Sequence, residues 1–201
     1  MTFQVVCISA VDGSGGEQVG PLLAERLGFR MINEEIVALA AQQAGVDSAL
    51  VADAEKRKST MARVLERLGP ASAATASMGA YVTPAIDLGP GEASLRELIR
   101  ATIEQVAEQG RAVIVAHAAS FALKNRSDTL RVFLTASPET RMARLGEDAK
   151  QLAKSDGNRA DYLKRFYNVG AELPSHYDLV LNTDRLEPKA AADIIAGVAS
   201  A

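Results

Sequence analysis

One short stretch near the N-terminus constrains this chain more than any other. Gln4-Val5-Val6-Cys7-Ile8-Ser9-Ala10 is an apolar, largely β-branched run, and Asp12 with Gly13-Ser14-Gly15-Gly16 breaks it. Val19, Leu22, Leu23 and Leu27 then recur at helical spacing, and Gly28 stands where a helix takes its left-handed cap. A strand, a glycine turn and a helix commit the next strand to parallel pairing. A helical crossover returns the chain in the same direction, with a right-handed sense.

The remaining sequence continues that alternation. Short strands are expected at residues 29–32, 111–116, 130–134 and 179–181. Val113-Ile114-Val115 carries no polar residue, as suits a strand buried on both faces. Helices are expected at 33–44 with Asn33 as cap, 48–68, 92–109, 156–167 and 188–199. A further helix starts at Ser137-Pro138-Glu139, with Ser as N-cap and Pro at the first helical position. Residues 70–91, rich in Ala, Ser, Gly and Pro, read as a loop or small helical insertion. The pattern predicts one domain over 1–201, a parallel sheet of five strands covered by helices on both faces. Ligands of such sheets bind beyond the carboxyl ends of the strands, which brings the glycine turn, the residues after Val115 and those after Leu134 to one rim.

Composition excludes several other classes. At 201 residues there is room for one sizeable core. The net charge of −3 supplies no general attraction to nucleic acid or anionic lipid. Cys7 is the single cysteine, so no intramolecular disulfide forms. No apolar run reaches the ~18 residues of a membrane span, and no basic segment leads into a long apolar run as a signal peptide would require. The expected location is the cytoplasm. Cys7, His117 and His176 lack metal-ligand spacing, so no protein-ligated metal is expected.

The glycine turn carries the candidate chemistry. Glycines between a strand and a helix N-terminus let backbone N–H groups close around an anion, and the helix dipole adds about half a positive charge. A bare βα turn without a ligand is the plainer reading. Three enzyme templates can be laid on it. A nucleophile elbow centred on Ser14 needs Gly where Asp12 stands. The dinucleotide fingerprint accepts Gly13 and Gly15 but meets Gln18 at its third glycine, with Glu34 near the distance of a ribose-binding acid. The phosphate loop retains Gly16 but meets Val11, Glu17 and Gln18 at its first Gly, Lys and Ser/Thr.

Over nearly its whole length the chain resembles the cytidylate kinase-like family of P-loop nucleoside monophosphate kinases. The resemblance rests on Ile8-Ser9, Gly13 to Gly16, Val19-Gly20, Leu27-Gly28, Met31-Ile32 and Asn33-Glu34-Glu35-Ile36. It continues through Gly110-Arg111-Ala112-Val113-Ile114-Val115, the arginine helix Pro138 to Arg144, the segment Arg159 to Tyr167, and Tyr177 to Leu186. It implies a three-layer α/β P-loop fold with an acceptor-binding helical insertion at about 47–91 and a lid at about 146–173. It also implies transfer of the ATP γ-phosphoryl group to CMP, dCMP or a related nucleotide, with magnesium arriving on the nucleotide. The small-molecule nucleotides would be its partners, without nucleic acid or membrane, and the sequence leaves room for a homodimer.

The site residues implied are Gly13, Ser14, Gly15, Gly16, Glu17, Gln18 and Val19 for the donor nucleotide. Arg141 and Arg159 would clamp the transferred group, with Arg144, Lys154 and Tyr162 beside them on the lid. Asn33, Glu34, Arg63 and His117 would meet the acceptor. The charged positions also have plain readings: solvated helix faces for the arginines and lysines, a first helical turn for Asn33 and Glu34, and a hydrogen-bonded structural histidine for His117.

The departures from the family pattern fall on the chemistry. Glu17 stands at the loop's cation, Gln18 at its hydroxyl, and His117 at the arginine after the third strand. A carboxylate about 5 Å from a phosphate charge costs about 3 kcal/mol at an effective dielectric near 20, and losing a cation there doubles the swing to about 6 kcal/mol. That size of effect lowers triphosphate affinity or transition-state stabilisation by several orders of magnitude. A catalytically degraded kinase, kept as a nucleotide-binding or protein-interaction module, is therefore the alternative expectation.

Overall fold

β1 (Val5–Ala10) runs through the middle of the sheet because it offers solvent nothing polar on either face: Val5, Val6, Cys7 and Ile8 are all fully buried. The computed structural model describes residues 3–33, 92–116 and 118–201. The expected helices at 33–44 and 48–68, the segment 70–91 and the insertion at 47–91 lie outside them. Contacts group the chain into two units, residues 1–33 with 104–201, and residues 34–103.

From β1 the chain enters α1 (Gly16–Leu27), which ends on Gly28 at φ 63° with its N–H on the carbonyls of Ala24 and Glu25. It returns as β2 (Arg30–Asn33). α2 (Glu92–Glu108) precedes β3 (Ala112–Val115), and a four-residue helix α3 (Ala119–Ala122) leads toward β4 (Thr129–Thr135). α4 (Pro138–Leu145) passes through a 3-10 turn, Gly146–Gln151, into α5 (Leu152–Tyr167). A second 3-10 turn, Pro174–His176, precedes β5 (Leu179–Asn182) and the closing helix α6 (Pro188–Ser200).

All five strands are parallel, in the order β2-β3-β1-β4-β5. Val5 pairs in register with Ala112 on one side and Thr129 on the other. Val6, Ile8, Val113, Val132 and Leu134 pack against Val19 and Leu23 of α1 and Ala191, Ile195 and Ala199 of α6. The Arg26–Asp193 ion pair joins these two helices at the surface. On the other face, Phe121 of α3, Leu163 of α5 and Tyr177 form a second cluster with Phe133 and Val180 packed on it. The result is three layers, helix on sheet on helix, and every strand ends on one rim.

Three elements differ from the sequence pattern. α5 begins at Leu152, four residues before the expected start, because Lys154-Ser155-Asp156-Gly157 has no apolar periodicity to reveal it. α3 lies hidden in an apolar stretch and exists through packing, with Ala119, Ser120 and Phe121 buried. β2 ends one residue later than expected, at Asn33 in register with Val115, and the helix that Asn33 is expected to cap lies outside the described residues. The Ser137 cap is as expected: its side chain accepts the Thr140 N–H at 3.3 Å, with Pro138 at the first helical position.

Candidate functional site

The turn after β1 is held in shape by its neighbours. Gly13 adopts φ +79°, and a Cβ there would stand 2.9 Å from both the Cα and the carbonyl oxygen of Arg141. Only glycine suits that left-handed backbone pressed against α4. Gly16 is equally tight, since its Cβ would meet that of Ala10 at 2.5 Å. The buried Ser14 hydroxyl donates to the Val11 carbonyl at 2.6 Å, inside the turn.

The carbonyls of the turn are claimed one after another. Arg159 Nη1 donates to Ala10 O at 3.3 Å, Arg141 Nε to Asp12 O at 2.6 Å and Arg144 Nη1 to Gly13 O at 3.2 Å. The Thr183 hydroxyl, just past β5, donates to Ser14 O at 2.9 Å. A trans peptide points its N–H opposite its C=O, so the N–H groups of Gly13 and Gly15 face away from these donors. The helix start adds the N–H groups of Gly16 and Glu17, which have no carbonyl one turn back. This is the layout of an anion cradle.

Beside it lies a cavity of about 530 Å³. Ser14, Gly15 and Gln18 line its floor, Val19, Leu22, Leu186 and Pro188 its apolar side, and Arg144, Thr183 and Glu187 its polar edge. Its size and mixed lining suit a flat heterocycle with a polar substituent. Arg144 is held there by Thr183, through Oγ1 at 2.9 Å and the carbonyl at 2.6 Å, with no carboxylate within 4 Å among the described residues. Asp184, in the same loop, accepts the Ser137 N–H at 2.7 Å, which holds its carboxyl below the usual range.

The two arginines expected to clamp a phosphoryl group are otherwise engaged. Arg141, whose side chain is 8% exposed, makes a two-pronged ion pair with Asp156 at 2.9 and 2.6 Å. Arg159, 6% exposed, makes the same kind of pair with Glu172 at 2.8 and 2.6 Å. Its Nη2 also donates to the fully buried Ser9 hydroxyl at 2.8 Å, and its guanidinium lies 5.8 Å from the Phe133 ring centroid. The Tyr177 hydroxyl donates to Glu172. Burial, then that hydrogen bond to the carboxylate, pushes its phenol above the ordinary range. Ser155 ties α5 to the turn by donating to the Asp12 carboxylate at 2.5 Å.

Among the other expected residues, Glu17 and Gln18 are exposed on the first turn of α1 and Val19 is buried. Lys154 is exposed on α5, and Tyr162 packs edge-on against Phe166 with ring centroids 4.6 Å apart. Asn33 lies on the rim at the end of β2. Glu34, Arg63 and His117 lie outside the described residues. Sequence reasoning missed Ser9, Ser155, Asp156, Glu172, Thr183 and the apolar cavity wall. Ser9 and Thr183 lie within segments that carry the family resemblance, but each of these residues acquires its place at the site through a partner on another element of the chain. Among the described residues no three His, Cys, Asp or Glu converge as a metal site requires.

A family model described as the cytidylate kinase-like family matches residues 5–185. The chain belongs to that family. The match runs from β1 past β5, so it takes in the glycine turn, α4, α5 and the Thr183 loop together. No curated protein matches the sequence. Among solved structures, an uncharacterised protein from Eubacterium ventriosum superposes with a TM-score of 0.64 at 16% identity, covering 97% of each chain. Shikimate kinase from Bacteroides thetaiotaomicron superposes with a TM-score of 0.52 at 17% identity, covering 98% of each chain. Shikimate kinase from Acinetobacter baumannii, solved with shikimate, gives 0.53 at 14% identity, covering 98% of this chain and 93% of that one. These likenesses establish the P-loop kinase-like α/β fold. Among the described residues no helix is long and apolar enough to cross a membrane.

Proposed function

We propose that this protein binds a nucleotide at the glycine turn and transfers a phosphoryl group from ATP to CMP, dCMP or a related nucleotide in the cytoplasm. The observation that carries this reading is the cavity between the glycine turn, Arg144 and the Thr183 loop, which Ser14 and Gly15 of the turn and Gln18 of α1 help to line. The base lies against Leu22, Leu186 and Pro188, the phosphates lie over Gly15 and Gly16, and Arg144 adds a cation at the edge. An acceptor phosphate oxygen attacks the γ-phosphorus in line, the bond to the bridging oxygen breaks, and ADP leaves. No covalent intermediate on the protein is needed. For the acceptor the candidates are Asn33, Glu34, Arg63 and His117, with residues 47–91 the candidate acceptor region.

The residues fit the two parts of a magnesium nucleotide unequally. The cavity and the backbone cradle suit base and phosphate. Gln18 brings no hydroxyl for magnesium and Glu17 no positive charge, so no step is routed through the metal. A second reading is favoured by these two residues and by the ion pairs of Arg141 and Arg159: a catalytically degraded relative, retained to bind nucleotide or another protein.

Calorimetric titration with ATP and with CMP, each with and without magnesium, followed by a turnover assay, tests the pair. ATP binding strengthened by magnesium, with turnover, supports the kinase. Turnover that appears only after the double substitution Glu17→Lys with Gln18→Thr assigns the natural chain to the degraded form. No binding of either nucleotide up to millimolar concentration rejects both nucleotide readings.

A further inference from the structure

Arg141 and Arg159 carry matching carboxylate partners, yet the two pairs differ in how solvent reaches them. In the Arg159–Glu172 pair both side chains are sealed, at 6% and 15% exposure. Among the described residues, the Ser9 hydroxyl, the Ala10 carbonyl, the Tyr177 hydroxyl and the Phe133 ring close it in. In the Arg141–Asp156 pair the arginine side chain is 8% exposed but that of the aspartate is 42% exposed. The outer half of that pair faces water and can be exchanged, while the Asp12 carbonyl keeps Nε fixed from within at 2.6 Å.

A carboxylate and a phosphate offer an arginine fork the same two-oxygen geometry. Arg141 lies on the same face of α4 as Arg144, one turn away, and the two hold successive carbonyls of the glycine turn. We propose that Asp156 is a specificity-determining residue: it fills the fork of Arg141 as an internal stand-in for a phosphate, and a polyphosphate ligand must displace it to gain that cation. The proposal rests on the reading of this site as one that takes a phosphate-bearing nucleotide. Ligands without phosphate enter the cavity unopposed, and polyanions meet a built-in competitor. When Asp156 is displaced, Ser155 still holds the Asp12 carboxylate and Arg159 the Ala10 carbonyl, so α5 stays anchored to the turn.

The test uses the full chain and two probes, tripolyphosphate and adenosine, titrated by calorimetry without magnesium. Asp156→Asn keeps the shape of the side chain and removes its charge, so tripolyphosphate binds this variant about tenfold more tightly than the natural chain. Adding Arg141→Gln abolishes the gain, and adenosine binds the natural chain and Asp156→Asn equally. Equal tripolyphosphate affinity for the natural chain and Asp156→Asn overturns the proposal, and so does absence of tripolyphosphate binding to both. A tenfold gain for tripolyphosphate with no adenosine binding rejects the nucleotide reading and upholds the role of Asp156. Should the variant not fold, arginine side-chain resonances of the natural chain decide. Tripolyphosphate then shifts the Nη–H signals of Arg141 and leaves those of Arg159 in place. An unmoved Arg141 overturns the assignment.

Discussion

Removing the Glu172 carboxylate is a severe test of how the glycine turn is held. Arg159 is 6% exposed and directs two N–H groups at Glu172, one at Ser9 and one at Ala10. Glu172→Ala deletes the only negative charge at this guanidinium among the described residues and also the acceptor of the Tyr177 hydroxyl. Among the described residues, one hydroxyl, one carbonyl and an aromatic face stay beside the cation. Removing one partner of a buried ion pair costs about 3–5 kcal/mol, against a total stability of about 5–15 kcal/mol for a typical protein. For a chain of this length the thermal midpoint falls by about 6–20 °C, at roughly 2–4 °C per kcal/mol. Calorimetry and urea unfolding read both quantities. The charge-free pair Arg159→Met with Glu172→Leu recovers most of the loss, because the penalty lies in the orphaned charge rather than in the lost attraction. A loss below about 1 kcal/mol for Glu172→Ala, the range of an exposed pair, would refute the reasoning. A double variant no more stable than the single one would do so as well.

Two further outcomes follow from the same geometry. Gly13→Ala destabilises the protein by about 2–4 kcal/mol, combining ~1 kcal/mol for the left-handed backbone with 1–3 kcal/mol for the contact against Arg141; an unchanged urea midpoint would contradict it. For Asp178, burial alone raises the carboxyl pKa, but side-chain and backbone hydrogen bonds from Arg131 outweigh it and hold the group below its ordinary value. The contribution of this pair is therefore complete above the unfolded pKa of about 4 and disappears as pH falls through the lower folded value. Asp178→Asn costs about 1 kcal/mol at neutral pH, a figure limited by solvent screening of a partly exposed pair, and the difference closes in strong acid. A gap between the two stability curves that stays constant with pH would count against the assignment.

The order of elements was legible in the sequence because its signals are local. Apolar runs such as Val113-Ile114-Val115 mark buried strands. Gly28 and Ser137 mark helix ends through backbone requirements that involve only adjacent residues. The close approach of the first turn to the rest of the protein was legible only in part. Four small residues announce a tight passage, but not that Gly13 is pressed against α4 and Gly16 against Ala10. α3 and the first turn of α5 escaped notice because they are stabilised by distant partners and lack a periodic apolar face of their own.

The charges at the site separate the two levels of information most clearly. Glu17 and Gln18 are visible in the sequence as departures at the phosphate loop, since their position follows from the strand and turn they adjoin. Arg141 and Arg159 are equally visible as residues, but their ionic partners are not. Asp156 is 15 residues from Arg141, Glu172 13 from Arg159, and Ser9 150 from Arg159. A linear pattern records which groups are available within a turn of a helix or across a tight loop. Electrostatic pairing depends on distance and burial in three dimensions, and those arise only when α4, α5 and the Thr183 loop close over the end of β1. The chain order thus determined a parallel sheet with a glycine-lined rim, and the tertiary packing decided that Arg141 and Arg159, which hold the glycine turn, meet the protein's own carboxylates.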